Sequence, residues 1–343
     1  MFGEEFVKKL AFAGAVVAVF IAVLPAWAQT KMPLKLGVSG RPDQAALELA
    51  LRRGYFEQEG FDIQTVQGTT GMEMLPSLAS NQLQVASGSP NAALFNALNR
   101  GIEIRIVADF AHIGETDDRT VALVVRADLL DSGAVKTIAD LKGRSLSYGP
   151  GSGQITDVFF AKLLARANLG KKDIEPRFLT FADSLAAMGN KSLDGAFMVE
   201  PLVTMAEARN IARVMIPGSQ VAPGAELSVV YYSPEFAKNK DAATKFMVAF
   251  LKGVRDYHDA FFLGKDKDAT IQLLIQHFPV KDPALWVTSK QHIDLNGRMN
   301  VADLRAQAEY YRSEGLVTGP VPDIEKFVDT SFAEAAVKLL GQR

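Results

Sequence analysis

The residues best suited to chemistry cluster in Leu146-Ser147-Tyr148-Gly149-Pro150-Gly151-Ser152-Gly153-Gln154-Ile155-Thr156. An apolar strand runs into a glycine-rich turn, and an amphipathic helix is expected from about Thr156 to Ala167. Glycine lets a backbone turn sharply and approach a ligand closely. Ser152, Gln154 and Thr156 offer hydroxyl and amide groups at the helix start. That start also carries unpaired N–H groups and the positive end of the helix dipole, a seat for an anion. The same residues equally suit a plain strand-to-helix turn capped by Ser152 or Thr156, so the chemical reading needs support from elsewhere in the chain.

Repetition supplies that support. Leu34–Val38 alternates like a strand, Ser39-Gly40-Arg41-Pro42-Asp43 is a turn with Asp43 as the expected helix cap, and a helix with an apolar face follows to Gly60. Strand Asp62–Val66, the turn Gly68-Thr69-Thr70-Gly71, helix Glu73–Ser80, strand Val85–Ala86, the turn Ser87-Gly88-Ser89-Pro90-Asn91, helix Ala92–Asn99 and strand Ile104–Phe110 complete a first alternation. A second alternation runs from Leu146 to Ile216. Sliding the chain by 110 positions superimposes the two: Leu36 falls on Leu146, Gln44 on Gln154, Leu75 on Leu185 and Ala86 on Ala196. Ser39–Asp43 then corresponds to Gly149–Gly153, and Ser87–Pro90 to Met198–Pro201 within a residue. All four are loops at carboxyl ends of strands, where open parallel sheets bind ligands. Strands alternating with helices predict an α/β fold of two lobes with mostly parallel sheets, facing each other across a cleft. After Tyr232 the chain reads as helical, with an apolar stripe at Phe246, Phe250, Val254, Tyr257 and Phe261.

Composition narrows the function. Length, 343 residues, suffices for two domains, and 48% hydrophobic with 22% charged residues is ordinary for a folded chain. A net charge of −2 argues against a nucleic-acid partner. Without cysteine there are no disulfides, thiolate nucleophiles, cysteine metal sites or lipid-bearing N-terminal cysteine. The histidines have no metal-ligand spacing, there is no Walker loop, and no cofactor is expected. Lys8-Lys9, an apolar run to Leu24, and Ala26-Trp27-Ala28 read as a secretory signal over 1–28, cleaved after Ala28. The run is shorter than the roughly 20 residues of a comfortable membrane span. Export without a lipid anchor points to a bacterial periplasm.

Several stretches resemble a known family. Gly54-Tyr55-Phe56-Glu57-Gln58-Glu59-Gly60-Phe61-Asp62-Ile63, Asp140-Leu141-Lys142-Gly143-Arg144 with Gly151-Ser152, Leu193-Asp194-Gly195-Ala196 through Glu200-Pro201, and Phe327-Val328-Asp329-Thr330-Ser331-Phe332 occur in the order found in nitrate, sulfonate and taurine-type substrate-binding proteins of ABC importers. The resemblance implies a two-lobed periplasmic binding protein of type II topology, with the helical C-terminal part packed on lobe one. Lobe one would comprise 29–123 and 224–343, and lobe two 124–223, with crossings near Val121–Val125 and Glu226–Val230.

It also implies a small anionic or aromatic ligand. Ser152, Gly153 and Gln154 would meet it, the alternative being capping alone. Arg41, beside Ser39 and Gly40, could grip a carboxylate or sulfonate in two-point fashion, or lie exposed at the cleft edge. Thr70 and Gly71 offer a hydroxyl and an N–H, or a plain cap. Ser87, Gly88 and Ser89, with Asn91, are placed on the cleft by both repeat and resemblance. His112 and Tyr148, with Phe110, could wall an aromatic ligand; Phe110 reads better as core. Glu200 could bind a ligand amine or hydroxyl, or form a salt bridge between lobes. The implied partners are an inner-membrane permease and its ATPase, with a monomeric binder. Alternatives are binding of a thiamine-pyrimidine-like heterocycle, or a secreted enzyme or sensor on the same fold. A fungal enzyme of that superfamily carries a cysteine-rich motif, which this chain lacks.

Overall fold

Residues 31–68 and 71–343 are described in the computed structural model. The expected signal segment 1–28 and Thr70 lie outside them.

Alternating and β-branched runs form ten strands among the described residues, in two sheets. They are β1 (Met32–Val38), β2 (Phe61–Gln67), β3 (Val85–Gly88), β4 (Arg105–His112), β5 (Val121–Arg126), β6 (Ser145–Ser147), β7 (Glu175–Arg177), β8 (Gly195–Val199), β9 (Ala212–Pro217) and β10 (Glu226–Tyr232). The first sheet has the order β2-β1-β3-β10-β4 and the second β7-β6-β8-β5-β9. Within each, the three strands joined by helices pair in parallel. The strand inserted from the other half of the chain, β10 or β5, runs antiparallel to both its neighbours.

The internal repeat is physical. Helices start at Ala45 and Ile155, at Gly71 and Phe181, and at Ala92 and Leu202, each pair 110 positions apart. The bridging register repeats too, with Leu36 opposite Val85 and Leu146 opposite Gly195. Gln44 and Gln154 occupy the same place, immediately before their helices. Asp43 is therefore not the cap that the sequence suggests; its carboxylate turns back onto Arg41, in the same turn.

The apolar stripe of helix Lys240–Phe261 is buried against helix Ala45–Arg52 on the first sheet. Phe246 sits among Phe56, Phe61 and Tyr232, with ring centroids 4.7, 6.3 and 5.8 Å away. Gly253 lets the two helices touch, because a Cβ there would run into the Ala46 carbonyl and Ala50. Helix Val301–Ser313 has a different job. Its Leu304, Ala308 and Tyr311 join one apolar core with Phe95 of the first lobe and Phe159 and Phe160 of the second.

Two connections carry the chain between the lobes, side by side. Ile113 N–H donates to Ala225 O (2.9 Å) and Gly224 N–H to Ile113 O (2.8 Å). Asp118 ties the pair, accepting from Gly114 N–H (2.6 Å) and Thr120 N–H (2.7 Å), while Ser219 Oγ accepts from Asp118 N–H (3.1 Å). Residues 218–224, between β9 and β10, contain the short helix Gly218–Val221, anchored by that Ser219 contact.

Candidate functional site

The loops at the carboxyl ends of β1, β3 and β6 converge. On lobe one, the Gln44 side chain joins two of them: its Oε1 accepts from Ser39 N–H (2.7 Å) and its Nε2 donates to Ser87 Oγ (3.3 Å). Gly88 O accepts from the Tyr231 hydroxyl (3.1 Å), and Asn91 caps the next helix by accepting from Leu94 N–H (3.0 Å). On lobe two, Gly149 and Gly153 take positive φ values of 119° and 85°, which bend the backbone into the turn. The lobes meet where Ala92 N–H donates to Gly153 O (3.1 Å). A Cβ on Gly153 would lie 3.1 Å from that of Ala92.

Beneath this turn lies a residue that sequence reasoning missed. Asp157 is fully buried and its carboxylate accepts from Gly153 N–H (3.1 Å), the Tyr310 hydroxyl (3.0 Å) and the Lys171 ammonium (2.6 Å). Burial alone would lower the Lys171 pKa; its contacts with Asp157, Glu314 and Tyr310 outweigh that and raise it. Asp157 thus already supplies negative charge at this helix start, so the helix terminus is a weaker anion seat than the sequence suggests. An acidic residue in the first turn was the available signal; Lys171 and Tyr310 are too distant in sequence to have been paired with it.

The remaining candidates separate into groups. Ser152 is exposed on the turn, and Ser89 is half-buried with no side-chain hydrogen bond among the described residues. Gln154 precedes its helix without a side-chain capping bond. Thr156 is buried and its hydroxyl donates to Tyr148 O. Gly40 and Arg41 are exposed, with the Arg41 guanidinium forked onto Asp43. Gly71 begins a helix.

Four further candidates are held by core or charge contacts. Tyr148 is 2% exposed and stacks on Phe160 at 4.9 Å, so its ring belongs to the core rather than to a ligand wall. Phe110 is also core, stacked on Phe250 at 5.8 Å. Glu200 is held by Arg119 Nε (3.1 Å), Thr204 N–H (2.9 Å) and Thr204 Oγ1 (2.9 Å), which fits the structural alternative. Burial pushes its carboxyl up, against the pull of Thr204 and Arg119. His112 hydrogen-bonds Asp109 (2.7 Å) and pairs with the backbone of His292, on the C-terminal side of lobe one. Burial lowers its pKa, but the Asp109 bond and the Asp109, Asp294 and Asp118 charges prevail and raise it. No group of three or more metal-binding side chains occurs among the described residues.

The strand order, the paired crossings and the facing loops define the two-lobed fold of a type II periplasmic binding protein. The chain belongs to the NMT1/THI5-like family, whose model matches residues 41–260. It is 26% identical over 159 residues to an Escherichia coli protein named for binding aliphatic sulfonates, covering 46% of each chain. It is 24% identical over 152 residues to a Haemophilus influenzae protein named for thiamine biosynthesis, covering 44% of this chain and 45% of that one. The alignments thus span under half the length of these curated relatives. Among solved structures, the periplasmic aliphatic sulphonate binding protein SsuA of Escherichia coli aligns with a TM-score of 0.70 at 19% identity, covering 87% of this chain and 92% of that one. The periplasmic nitrate-binding protein NrtA of Synechocystis PCC 6803 aligns at 0.69 and 13%, covering 91% and 89%. DszB bound to biphenyl-2-sulfinic acid aligns at 0.63 and 14%, covering 90% and 99%. At these identities the structural likeness is one of fold.

Proposed function

We propose that this protein is the periplasmic solute-binding component of an ABC importer. It captures a small organic anion (sulfonate, carboxylate or aromatic acid) between its lobes and presents the closed form to a membrane permease, whose ATPase supplies the energy. The signal segment 1–28 directs export. The lobes follow the expected division (29–123 with 224–343, and 124–223) to within a strand, with β5 counted whole in lobe two because it lies in the second sheet. The observation that carries the reading is the meeting of the β3 and β6 turns at Ala92 and Gly153. Helix starts from both lobes converge there; the Ser89 hydroxyl has no side-chain partner among the described residues, and the exposed Ser152 hydroxyl, beside Tyr148, can turn to a ligand. A ligand touching both turns binds the closed form better than the open one, and that difference drives closure. The names of the sulfonate- and nitrate-binding relatives support the anion. The protein returns its ligand unchanged.

The test is calorimetry of the chain from Gln29 onward against taurine, alkyl sulfonates, aromatic carboxylates, nitrate and a thiamine pyrimidine. Binding of one anion, weakened at least tenfold by the Ser89→Ala/Ser152→Ala pair without loss of fold, is expected. Unchanged affinity in the double variant refutes the site. Selective binding of the pyrimidine replaces the anion with the heterocycle suggested by the thiamine-named relative. Chemical conversion of the bound compound refutes the transport role.

A further inference from the structure

Three of the four histidines, far apart in sequence, converge on one cavity away from the interlobe turns. The cavity, about 420 Å³, lies between the end of helix Lys240–Phe261, the segment 291–298 and the end of β4. Its walls all come from lobe one, so its shape does not depend on closure. Such a volume suits a small organic molecule.

The walls carry a row of rings. His258 stacks on Phe262 (centroids 5.1 Å apart, planes at 12°), Phe262 meets His292 at 4.9 Å, and His292 lies 6.1 Å from His112. Burial, and then the Arg343 charge, lowers the His258 pKa. Burial also lowers that of His292, despite the Asp118 charge. Both shifts favour the neutral form of the ring.

Positive charge stands beside these rings. At the mouth, Arg298 contacts Asp294 through Nε (3.3 Å), and its terminal nitrogens have no partner among the described residues. Lys290 lies 5.5 Å above the Phe262 ring and adds positive charge.

We propose that lobe one carries a second small-molecule site, built for a monocyclic aromatic carboxylate. The ligand ring lies against the Phe262 and His258 wall, and its carboxylate reaches Arg298. This site is separate from the interlobe cleft and can be filled in either the open or the closed form.

Nitrogen NMR of the imidazoles tests it, with nicotinate as the probe and cyclohexanecarboxylate, which lacks the aromatic ring, as comparator. His277 lies outside the cavity and serves as an internal control. Nicotinate is expected to shift the His112, His258 and His292 signals saturably while His277 stays fixed. Phe262→Ala should weaken binding at least tenfold. Arg298→Ala should likewise weaken binding at least tenfold, and cyclohexanecarboxylate should bind at least tenfold more weakly than nicotinate. The Ser89→Ala/Ser152→Ala pair should leave nicotinate binding unchanged, which separates this site from the cleft. The proposal is overturned if millimolar nicotinate leaves the three signals unmoved. It is equally overturned if the shifts survive Phe262→Ala but vanish in the serine pair.

Discussion

Replacing Glu226 with Gln should make the protein more stable, and increasingly so as pH rises. Glu226 and Asp109 lie on adjacent strands of the first sheet, 1% and 0% exposed, and are close enough to hydrogen-bond. Every other oxygen of the pair is satisfied. Asp109 Oδ2 accepts from His112 and from Asp294 N–H (2.6 Å), and Glu226 Oε1 accepts from Asn300 N–H. The atoms left without a partner are Asp109 Oδ1 and Glu226 Oε2; one proton shared between the two carboxylates would satisfy both. Burial, and then the Asp109 charge, pushes Glu226 from 4.5 up to about 9. The folded protein therefore holds a proton that the unfolded chain releases above pH 4.5. This contribution is fully present below about pH 4.5 and is lost as pH rises towards 9, at about 1.4 kcal/mol per pH unit. Between pH 4.5 and pH 7 the loss amounts to roughly 3 kcal/mol. A Gln amide donates to Asp109 permanently, while its oxygen keeps the Asn300 bond. Urea unfolding at intervals from pH 5 to pH 9 measures the effect. Near pH 5 the two proteins should match within about 1 kcal/mol, with the variant ahead by roughly 3 kcal/mol at pH 7. Parallel pH profiles for wild type and variant would refute the shared proton, as would a variant that is less stable throughout.

Three further outcomes follow from the turns. Gly153→Ala forces a side chain into positive φ and against Ala92; it should cost about 1–3 kcal/mol and shift small-angle scattering towards an open form. Asp157→Asn removes the charge facing Lys171; with Lys171 a quarter exposed, about 2–3 kcal/mol should be lost and seen in thermal melts. Gln44→Ala frees Ser39 N–H and Ser87 Oγ together; calorimetry should find weaker cleft ligand binding, and melts a loss of about 1–2 kcal/mol.

Much of the framework is legible in the sequence because it is local. Helix Ala92–Asn99 begins after an Asn cap, and strand Gly195–Val199 is an apolar run between turn signals; both occur where periodicity and capping place them. The repeat was readable for the same reason, since each helix start keeps its distance from the preceding strand. What escaped depends on long-range meetings. Nothing near Asp157 signals that Lys171 and Tyr310 will close over it, and nothing near His112 signals His258 and His292. Tyr148 looked like a cleft residue because it ends a strand, but the side on which its ring falls is decided by packing against Phe160.

The placement of β10 gives the two halves unequal independence during synthesis. In the second sheet, the inserted strand β5 precedes its neighbours, so that sheet can be completed as its strands emerge. In the first, β10 separates β3 from β4 and is β4's only partner strand in the order. Until residues 226–232 are made, β3 and β4 each present an unpaired edge, and such edges invite aggregation. The half that is synthesised first must therefore be the last to close, and for that interval it depends on being kept apart from other chains.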